Sequence, residues 1–434
     1  MEQDRIIVGL DIGTTKICAL VGKTNASHKL EILGIGTAPS EGVAQGMVTN
    51  IDKTVVAIEQ AVKEAGDQSN IDINVVNAGI AGHHIHSTVC QGSITREAVE
   101  EEITVEDVAR LTNDMYRIVT PPGSEIIHVI PQKYTVDYQG GIKDPVGMSG
   151  VKLEADFHLI TAQTNAIHNI RKCTQRAGLE IDNLILEPIA SSMAVLSNEE
   201  KEAGICLVDI GGGTVDLIIF CDSIIRHTAV LPFGGNVITA DVKQGCKVMA
   251  HQAELLKTRF GKAIAEKASD HEVVTIPGLR NRAPKEVSVR NLAHIIEARM
   301  AEIVELIHAE IIRSGFQHKL AGGIVITGGG AQLQHVQQLF EQITRLDTRI
   351  GYPNEYLDDS SLEKVKNPAY ATGVGLILAG FQALDYREEY YRTAKGTKRN
   401  SAKTRTRQDK QQGSDFFSRI LSKTKGLLID DYSE

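Results

Sequence analysis

The amino-acid sequence predicts an α/β protein of two related lobes that share a polar cleft. A phrase made of an apolar strand, an aspartate and a Gly-rich turn with threonine occurs at residues 8–16 and again at 207–216. Its two aspartates, Asp11 and Asp209, stand about 200 positions apart. Because the turn chemistry returns together with the strand, the repeat indicates a duplicated α/β unit. A third β-branched strand runs into three glycines at residues 324–331.

The two repeated turns have the atoms of a phosphate clamp with a metal ion. Glycines let the backbone take positive φ values, and successive N–H groups in such a turn form an anion-binding concavity. Thr14, Thr15 and Thr214 add hydroxyl donors, and Lys16 adds a cation. The aspartate of each phrase suits Mg²⁺, either directly or through its water shell. The alternative is that both are tight β-turns in which Asp and Gly serve only the turn.

The third Gly-rich loop has the arrangement that presents backbone to a nucleotide. A strand, three glycines and a helical pattern follow one another from residue 324 to residue 343. The loop is not a Walker A loop, because no Gly-Lys-Ser/Thr follows the glycines. It is not a dinucleotide fingerprint either, because no G-x-G-x-x-G opens the first βαβ unit.

Length and composition restrict the class of protein. A chain of 434 residues suits two domains or a four-part bilobed body. Tryptophan is absent and aromatic residues make up 4% of the chain, which argues against nucleic-acid stacking platforms, so we expect no nucleic-acid partner. The six cysteines show no C-x-x-C spacing and are typical of reduced thiols in a cytosolic protein. We expect neither a signal peptide nor a membrane-spanning helix.

Hydrophobic periodicity and turn signals predict elements at several places. The texture changes between about residues 83 and 159, where no phosphate loop occurs, and we interpret this stretch as an inserted module. The expected elements are a helix at 54–65, a strand at 73–80, a strand pair at 126–130 and 133–138, a helix at 161–176, strands within 204–240, a largely helical region at 241–321 with a loop at 276–286, and a final helix at 368–384.

The order of five segments resembles the actin/Hsp70/sugar-kinase ATPase superfamily. They are DIGTTK at 11–16, Glu-Pro at 187–188, VDIGGGTVD at 208–216, TGGGA at 327–331 and ATGVG at 371–375. Within that superfamily the chain most resembles the FtsA family of bacterial cell-division proteins, over roughly residues 5–385 and the extreme C-terminus. The narrower resemblance rests on GLDIGTTK, the segment GMVTNI at 46–51, the insertion and the tail.

The resemblance implies a bilobed actin-like ATPase fold in which an inserted subdomain 1C replaces actin's subdomain 1B. A disordered linker and a C-terminal amphipathic helix would follow this body. The implied parts are subdomain 1A at 1–82 and 161–202, subdomain 1C at 83–160, subdomain 2A at 203–240, subdomain 2B at 241–321, subdomain 2A with the closing 1A helix at 322–385, a basic linker at 386–413 and a membrane-targeting tail at 414–434.

The same resemblance implies a site for ATP and Mg²⁺. Asp11 and Asp209 would hold the water shell of the metal, and Glu187 with Asp209 would position the attacking water. Glu254 and Lys257, three apart on a helix, would reach the ribose and base; the alternative is a surface pair. We expect ATP binding with slow hydrolysis or none. The implied nucleotide contacts are Asp11, Gly13, Thr14, Thr15, Lys16, Gly211, Gly212, Gly213, Thr214, Glu254, Lys257, Gly328, Gly329, Gly330 and Ala331.

The C-terminal tail has the pattern of an amphipathic helix that lies in a membrane interface. It follows a basic stretch: residues 386–425 contain 12 Lys or Arg and 4 Asp or Glu, whereas the whole chain has a net charge of −9. The alternatives are a partner-docking helix and a disordered end. The residues expected to contact anionic lipid are Phe416, Phe417, Arg419, Ile420, Leu421, Lys423, Leu427 and Leu428.

The FtsA resemblance implies a polymer on the cytoplasmic face of the inner membrane, at the division septum. This polymer would anchor the tubulin-like protein FtsZ and recruit later division proteins. Subdomain 2B would bind the C-terminal peptide of FtsZ through a basic loop at 279–290, which includes Arg280, Arg282, Lys285 and Arg290. The alternative for this segment is a solvated loop.

Three other functions fit the sequence less well. A sugar kinase would need a catalytic Asp and polar groups aimed at an acceptor hydroxyl, which we cannot identify. A pilus-assembly ATPase shares the inserted subdomain, but the linker and tail argue against it. An Hsp70-type chaperone would need a peptide-binding domain after residue 385. We expect no metal site at His83, His84 and His86, because no carboxylate triad or H-E-x-x-H motif accompanies them.

Overall fold

The computed structural model describes residues 5–25, 29–96, 102–278 and 283–397. The first lobe opens with β1 (Ile6–Ile12), β2 (Lys16–Thr24), β3 (Leu30–Pro39), β4 (Val43–Ala44), β5 (Met47–Val48), α1 (Ile51–Ser69) and β6 (Val75–Ile80). An inserted module follows, with β7 (Ile85–Thr95), α2 (Val105–Met115), β8 (Ser124–Val136), β9 (Gln139–Ile142) and β10 (Lys152–Gln163). The chain then returns to the first lobe through α3 (Thr164–Arg176), β11 (Glu180–Leu186), α4 (Glu187–Val195) and α5 (Asn198–Ala203).

The second lobe follows directly and ends in a helix that belongs to the first. Its elements are β12 (Ile205–Ile210), β13 (Val215–Cys221), β14 (Ile224–Leu231), α6 (Gly235–Gly245), α7 (Ala250–Phe260), β15 (Val273–Ile276), β16 (Lys285–Ser288), α8 (Val289–Arg313), β17 (Ile324–Thr327), α9 (Val336–Thr344) and β18 (Thr348–Ile350). The last described helix is α10 (Ala371–Thr397), which packs against α4 and β1 of the first lobe.

The two lobes repeat one sheet design, as the duplicated phrase predicts. The first sheet has the order β3-β2-β1-β6-β11 and the second β14-β13-β12-β17-β18. In each sheet an antiparallel hairpin carries the Gly-rich turn, and the next strand pairs in parallel with the hairpin's first strand. Because the sheets correspond strand by strand, their Gly-rich turns lie at corresponding edges and meet between the lobes.

Helix α1 is bounded at both ends by capping residues that the sequence supplies. The side chain of Asn50 accepts a hydrogen bond from the Lys53 N–H at 3.0 Å, which caps the first turn. At the other end Asn70 takes a left-handed conformation with φ of 56°. The helix predicted at 54–65 is therefore confirmed and extends further at both ends. Its apolar face, including Ile58 and Ala61, is fully buried against the first sheet.

The inserted module is a four-stranded sheet, ordered β7-β10-β8-β9, with its own small core and helix α2. The strand pair expected at 126–130 and 133–138 is wrong. Residues 124–136 form the single strand β8, in which Pro131 stands at a register shift opposite Phe157. A proline fits a strand at such an irregularity because the missing N–H breaks no ladder bond there. The helix expected from residue 161 starts at Thr164, since 161–163 finish β10.

The insertion also contacts the second lobe, at its edge strand β14. The side chain of Gln132 on β8 donates to the Ile225 carbonyl at 2.7 Å. His158 on β10 lies 3.1 Å from the Thr228 hydroxyl, measured from Nε2 to Oγ1. Side chains of the insertion therefore cover part of an otherwise open sheet edge.

Helices α4 and α10 approach each other at the junction of the lobes. A Cβ atom on Gly375 would lie 1.8 Å from the Ala190 carbonyl oxygen, so no side chain fits there. The final helix expected at 368–384 is confirmed but starts at Ala371 and runs to Thr397. It therefore includes residues 386–397 of the stretch expected to be a disordered linker, where the sequence has several good helix formers and no proline.

The rest of the expected linker and the whole tail, residues 398–434, lie outside the described residues. Within the described ranges, no helix combines the length and apolar character needed to cross a bilayer.

Candidate functional site

Most of the predicted site residues line a single cavity of about 360 Å³ between the lobes. Every residue predicted to contact nucleotide or metal lies on its wall, apart from one. Ala331 is fully buried instead, in the core of the second lobe, because the short turn after the third glycine directs it inward. The predicted residues that line the cavity are Asp11, Gly13, Thr14, Thr15, Lys16, Glu187, Asp209, Gly211, Gly212, Gly213, Thr214, Glu254, Lys257, Gly328, Gly329 and Gly330.

The first and second Gly-rich turns touch each other across the cleft. A Cβ atom on Gly212 would lie 1.9 Å from Thr15 Oγ1, and one on Gly213 would lie 2.6 Å from Thr14 Oγ1. Only glycine permits this approach, since real Cβ atoms do not come so close to backbone-fixed neighbours. The Thr14 hydroxyl also accepts a hydrogen bond from the Gly46 N–H at 3.1 Å. Backbone donors of both lobes therefore border one small space.

Helix α6 begins beside the second turn, whose carbonyls cap its first N–H groups. The N–H groups of Gly235 and Asn236 donate to the carbonyls of Gly211 and Gly212, at 2.9 and 2.8 Å. Both residues line the cavity. These hydrogen bonds fix the start of the helix to the second turn at the cavity wall.

Four carboxylates lie at the floor of the cavity, from both lobes. Asp11, Asp209 and Asp216 are buried, and Glu187 is half-buried. Burial raises the pKa of Asp11 to about 6, opposed by the attraction of Lys16. Burial and the neighbouring Asp209 raise the pKa of Asp216 to about 8. Burial, followed by the charges of the three aspartates, raises the pKa of Glu187 well above its ordinary range. Without a bound cation, Asp216 and Glu187 therefore keep their protons more readily than ordinary carboxyl groups.

Lys16 is the cation of this group, and its position is fixed by the segment that precedes α10. Its ammonium donates to the Ala369 carbonyl at 2.8 Å and lies 3.5 Å from the centroid of the Tyr370 ring. Burial lowers its pKa. These contacts hold the charge at the cavity wall and restrict the side chain's rotamers.

Glu254 and Lys257 form an ion pair at the wall of the cavity. Their charged groups lie 2.9 Å apart, so they do form a pair, and both residues line the cavity. The Lys257 ammonium also donates to the Gly235 carbonyl at 3.0 Å and to Thr239 Oγ1 at 2.9 Å. This end of the cavity is therefore a polar network with an oriented carboxylate.

The sequence analysis missed several polar residues of the site. Asp216 was detectable, because it is the second aspartate of the repeated phrase and stands opposite Asp209 in the β12–β13 register. Ser191 lies four residues after Glu187 on α4 and donates to Asp209 Oδ2 at 2.7 Å. Thr372 lies 3.3 Å from the same oxygen. No spacing rule points to these two hydroxyls, since they come from different helices.

His83, His84 and His86 lie where the inserted module begins. His83 and His84 lie in the turn before β7, and the His84 side chain is fully buried. Burial lowers the pKa of His84 to about 4. Among the residues that the structure describes, no group of three or more His, Cys, Asp or Glu side chains converges closely enough to bind a metal ion without intervening water.

Comparison with known proteins identifies the family. A sequence model for cell division protein FtsA matches residues 206–375, and one for the SHS2 domain inserted in FtsA matches residues 82–161. Cell division protein FtsA of Pseudomonas aeruginosa is 41% identical over 382 residues, which are 88% of this chain and 91% of that protein. The chain belongs to the FtsA family. It is therefore a cell-division protein, as the resemblance implied.

Other FtsA proteins extend the match along the chain. FtsA of Escherichia coli strain K12 is 37% identical over 385 residues, which cover 87% of this chain and 90% of the relative. FtsA of Borreliella burgdorferi is 36% identical over 430 residues, which cover 98% of this chain and 99% of the relative.

Solved structures confirm the actin-like fold. The PilM-PilN type IV pilus biogenesis complex matches with a TM-score of 0.62 at 16% identity, over 86% of this chain and 98% of that chain. MreB5 of Spiroplasma citri bound to ADP matches with a TM-score of 0.51 at 14% identity, over 92% and 99%. At such identities the likeness shows the fold alone. The bilobed actin-like ATPase fold with an inserted domain is confirmed.

The raised carboxyl pKa values predict an unusual pH dependence of stability for the ligand-free protein. Asp216 has a folded pKa of about 8 against an unfolded value of 3.8, so its contribution is present below pH 4 and is lost as pH rises through about 8. Thermal melts between pH 5 and 8 without Mg²⁺ or nucleotide should show a falling melting temperature. Asp216→Asn should flatten this fall, which for one proton is at most about 1.4 kcal/mol per pH unit.

A matched control is Asp156→Asn, which makes the same change at an exposed position on β10. It should leave the slope of the wild-type curve unchanged. An Asp216→Asn protein whose melting temperature falls as steeply as that of the wild type would contradict the assignment.

Proposed function

We propose that this FtsA-family protein binds ATP with Mg²⁺ in the cleft and uses the bound nucleotide to set the closure of its lobes. The observation that carries the proposal is the meeting of three Gly-rich turns and four carboxylates from both lobes at one cavity. A ligand that contacts both repeated turns at once stabilises the closed arrangement by its differential affinity for that state. The Gly-rich turns suit the phosphates, and the network around Glu254 suits the ribose.

The donor set fits a hydrated divalent cation. Asp216 Oδ1 is buried and, among the described residues, has no hydrogen-bond partner. Together with Asp11 and Asp209 it offers hard oxygen atoms, which Mg²⁺ prefers and contacts through its retained waters. When bound, Mg²⁺ would neutralise charge on these carboxylates and on the phosphates. Loading the site should consequently release protons from the groups whose pKa values burial has raised.

Glu187 has the geometry to orient a water molecule. It begins helix α4 at the cavity floor, and a Cβ atom on Gly79 would come within 3.1 Å of its Oε1, so the backbone of β6 confines the carboxylate. Phosphoryl transfer depends mainly on positioning and charge neutralisation. Its raised pKa makes Glu187 a poor proton acceptor until a cation lowers it. We therefore propose slow hydrolysis or none.

Lobe closure on ATP would favour self-association into head-to-tail filaments. One end of such a filament subunit carries the insertion, whose sheet already contacts β14 beside the cleft. Because β14 leads into the turn before α6, the insertion and the nucleotide site share one structural element. We propose that this contact transmits closure to the surface that binds the next subunit.

The C-terminal tail would attach the polymer to anionic lipids on the cytoplasmic face of the inner membrane, at the division septum. Its stripe of Phe, Ile and Leu with flanking Arg419 and Lys423 supports this proposal. Each basic residue near the surface contributes about 1 kcal/mol. A single short helix binds weakly, so a polymer that presents many copies would be needed for stable attachment.

The tether is tested by liposome co-sedimentation with ATP, with the full chain compared against a chain that ends at Gly413. The full chain should pellet with vesicles that contain anionic lipid and stay soluble with neutral ones, because both the apolar stripe and the basic residues contribute. The shortened chain should stay soluble with both. If the two chains pellet equally, or neither does while ATP binds, the tail is not the anchor.

Subdomain 2B would hold the C-terminal peptide of FtsZ and thereby anchor FtsZ filaments, while the assembled polymer would recruit later division proteins. The segment at 279–290 is only partly a loop, since Lys285 begins strand β16 and Arg290 lies in the first turn of α8. The proposal that it binds the peptide rests on its charge. Arg280 and Arg282 lie outside the described residues. Lys285 donates to the Cys246 carbonyl at 2.6 Å, and Arg290 pairs with Asp270. Arg290 is nonetheless 39% exposed, so its guanidinium can exchange that partner for a peptide carboxylate.

Substitution of Arg290 tests this docking surface. Arg290→Glu should weaken binding of a synthetic FtsZ C-terminal peptide at least tenfold, because it replaces attraction with repulsion. Fluorescence anisotropy of the labelled peptide measures the affinity. Arg171→Glu makes the same charge change at an exposed position on α3 and should have little effect. Equal affinities for the two variants would remove the assignment.

No observation favours a sugar kinase or a pilus-assembly role over this one. The match to the pilus biogenesis complex shows the fold only, whereas the sequence relatives are cell-division proteins. ATP consumption stimulated by a small alcohol would be the result that favours a kinase.

A further inference from the structure

Two buried hydroxyls hold one oxygen of Asp209 and belong to the opposite lobe. Asp209 ends strand β12 of the second lobe, whereas Ser191 and Thr372 lie on helices α4 and α10 of the first. Ser191 Oγ donates to Asp209 Oδ2 at 2.7 Å, and Thr372 Oγ1 lies 3.3 Å from the same atom. Ser191 is fully buried and Thr372 is 9% exposed. The metal-site carboxylate of one lobe is therefore oriented by the other.

Because each hydroxyl has a single proton, the hydrogen bonds of this group can run only towards Asp209. Each hydroxyl has one proton, and the two oxygens lie 3.0 Å apart. If Ser191 donates to Asp209, Thr372 donates either to Asp209 directly or to the Ser191 oxygen. In both cases the protons point towards the carboxylate, and in the second they form a chain in which each bond strengthens the next.

The other oxygen of Asp209 faces the third Gly-rich loop. A Cβ atom on Gly328 would lie 2.2 Å from Asp209 Oδ1, and Gly328 has a φ of 83° that favours glycine. The carboxylate thus divides its oxygens, with Oδ2 held by hydroxyls and Oδ1 next to a loop that lines the cavity. A carboxylate fixed at one oxygen presents the other in a single orientation.

We propose that Ser191 and Thr372 are positioning residues for the Mg²⁺ that accompanies the nucleotide, acting through Asp209. The inference rests on the proposed ATP and Mg²⁺ binding and assigns a role within it. Because both hydroxyls belong to the first lobe, they orient Asp209 only when the two lobes have the relative position seen in this structure. Mg²⁺ affinity and the relative position of the lobes are consequently coupled through these two hydroxyls.

The coupling is supported by the packing beneath the hydroxyls. Ala190, next to Ser191, meets Gly375 of α10 through the close approach that excludes a side chain. Gly373, next to Thr372, lies against strand β1, where a Cβ atom on Gly9 would be 2.8 Å from the Gly373 carbonyl oxygen. The two helices therefore hold the hydroxyls rigidly with respect to each other and to the strand that carries Asp11.

The test is calorimetric titration of the full chain with ATP, in Mg²⁺ and in EDTA. The dissociation constant in EDTA divided by that in Mg²⁺ measures how much the metal strengthens ATP binding. Ser191→Ala and Thr372→Val should lower this ratio roughly ten- to hundredfold, the usual effect of losing a partner of a metal ligand, and leave binding in EDTA unchanged. Thr372→Ser keeps the hydroxyl and should retain the wild-type ratio.

A neighbouring serine supplies the control for buried-hydroxyl loss. Ser192→Ala removes a hydroxyl that is also buried but donates to the Ile189 carbonyl of its own helix at 2.7 Å. It should keep the wild-type ratio. Equal losses in Mg²⁺ and EDTA, or an unchanged ratio in Ser191→Ala and Thr372→Val, would overturn the inference. Failure of the wild type to bind ATP would instead overturn the proposed function, so the two outcomes are distinguishable.

Discussion

The contact between the two Gly-rich turns is the constraint on which the rest of the structure depends. Because Gly212 and Gly213 have no side chains, the hydroxyls of Thr14 and Thr15 come within reach of the opposite lobe's backbone. That approach excludes solvent from the floor of the cleft and buries carboxylates from both lobes. Burial of like charges is costly unless a cation or protons compensate them. The fold consequently builds a site whose carboxylates are compensated either by protons or by a cation.

The segment from Pro368 to Thr372 connects the three loops of the site. The Pro368 carbonyl accepts from the Gly328 N–H at 3.3 Å, and the Ala369 carbonyl accepts from Lys16 at 2.8 Å. Thr372 reaches Asp209 of the second turn. Helix α10 starts within this segment, so the contacts of its first turn hold it against all three loops of the site.

The duplicated phrase and the third glycine loop were sufficient to predict the lobes and the shared cleft, and with the family resemblance they gave about half of the residues that line it. They succeed because glycine turns and acidic strand ends are local signals with few structural solutions. Ala331 was expected to contact the nucleotide but lies in the core, because a residue directly after a turn can face either the ligand or the core. The role of Ser191 and Thr372 beside Asp209 was not predicted, because the contact joins three separate elements and no local sequence pattern indicates it. Strand β8 was predicted as two strands, whereas its pairing with β10 continues past Pro131.

The central claim is that one hydrated divalent cation, carried with the nucleotide, lies between the aspartates of the two lobes. Crystals grown with a non-hydrolysable ATP analogue and Mn²⁺ in place of Mg²⁺ would locate the ion by anomalous scattering. The account predicts a single peak between Asp11 and Asp209, with the phosphates on the two Gly-rich turns. A bound nucleotide whose metal lies away from both aspartates, or the absence of a peak there at full nucleotide occupancy, would contradict it.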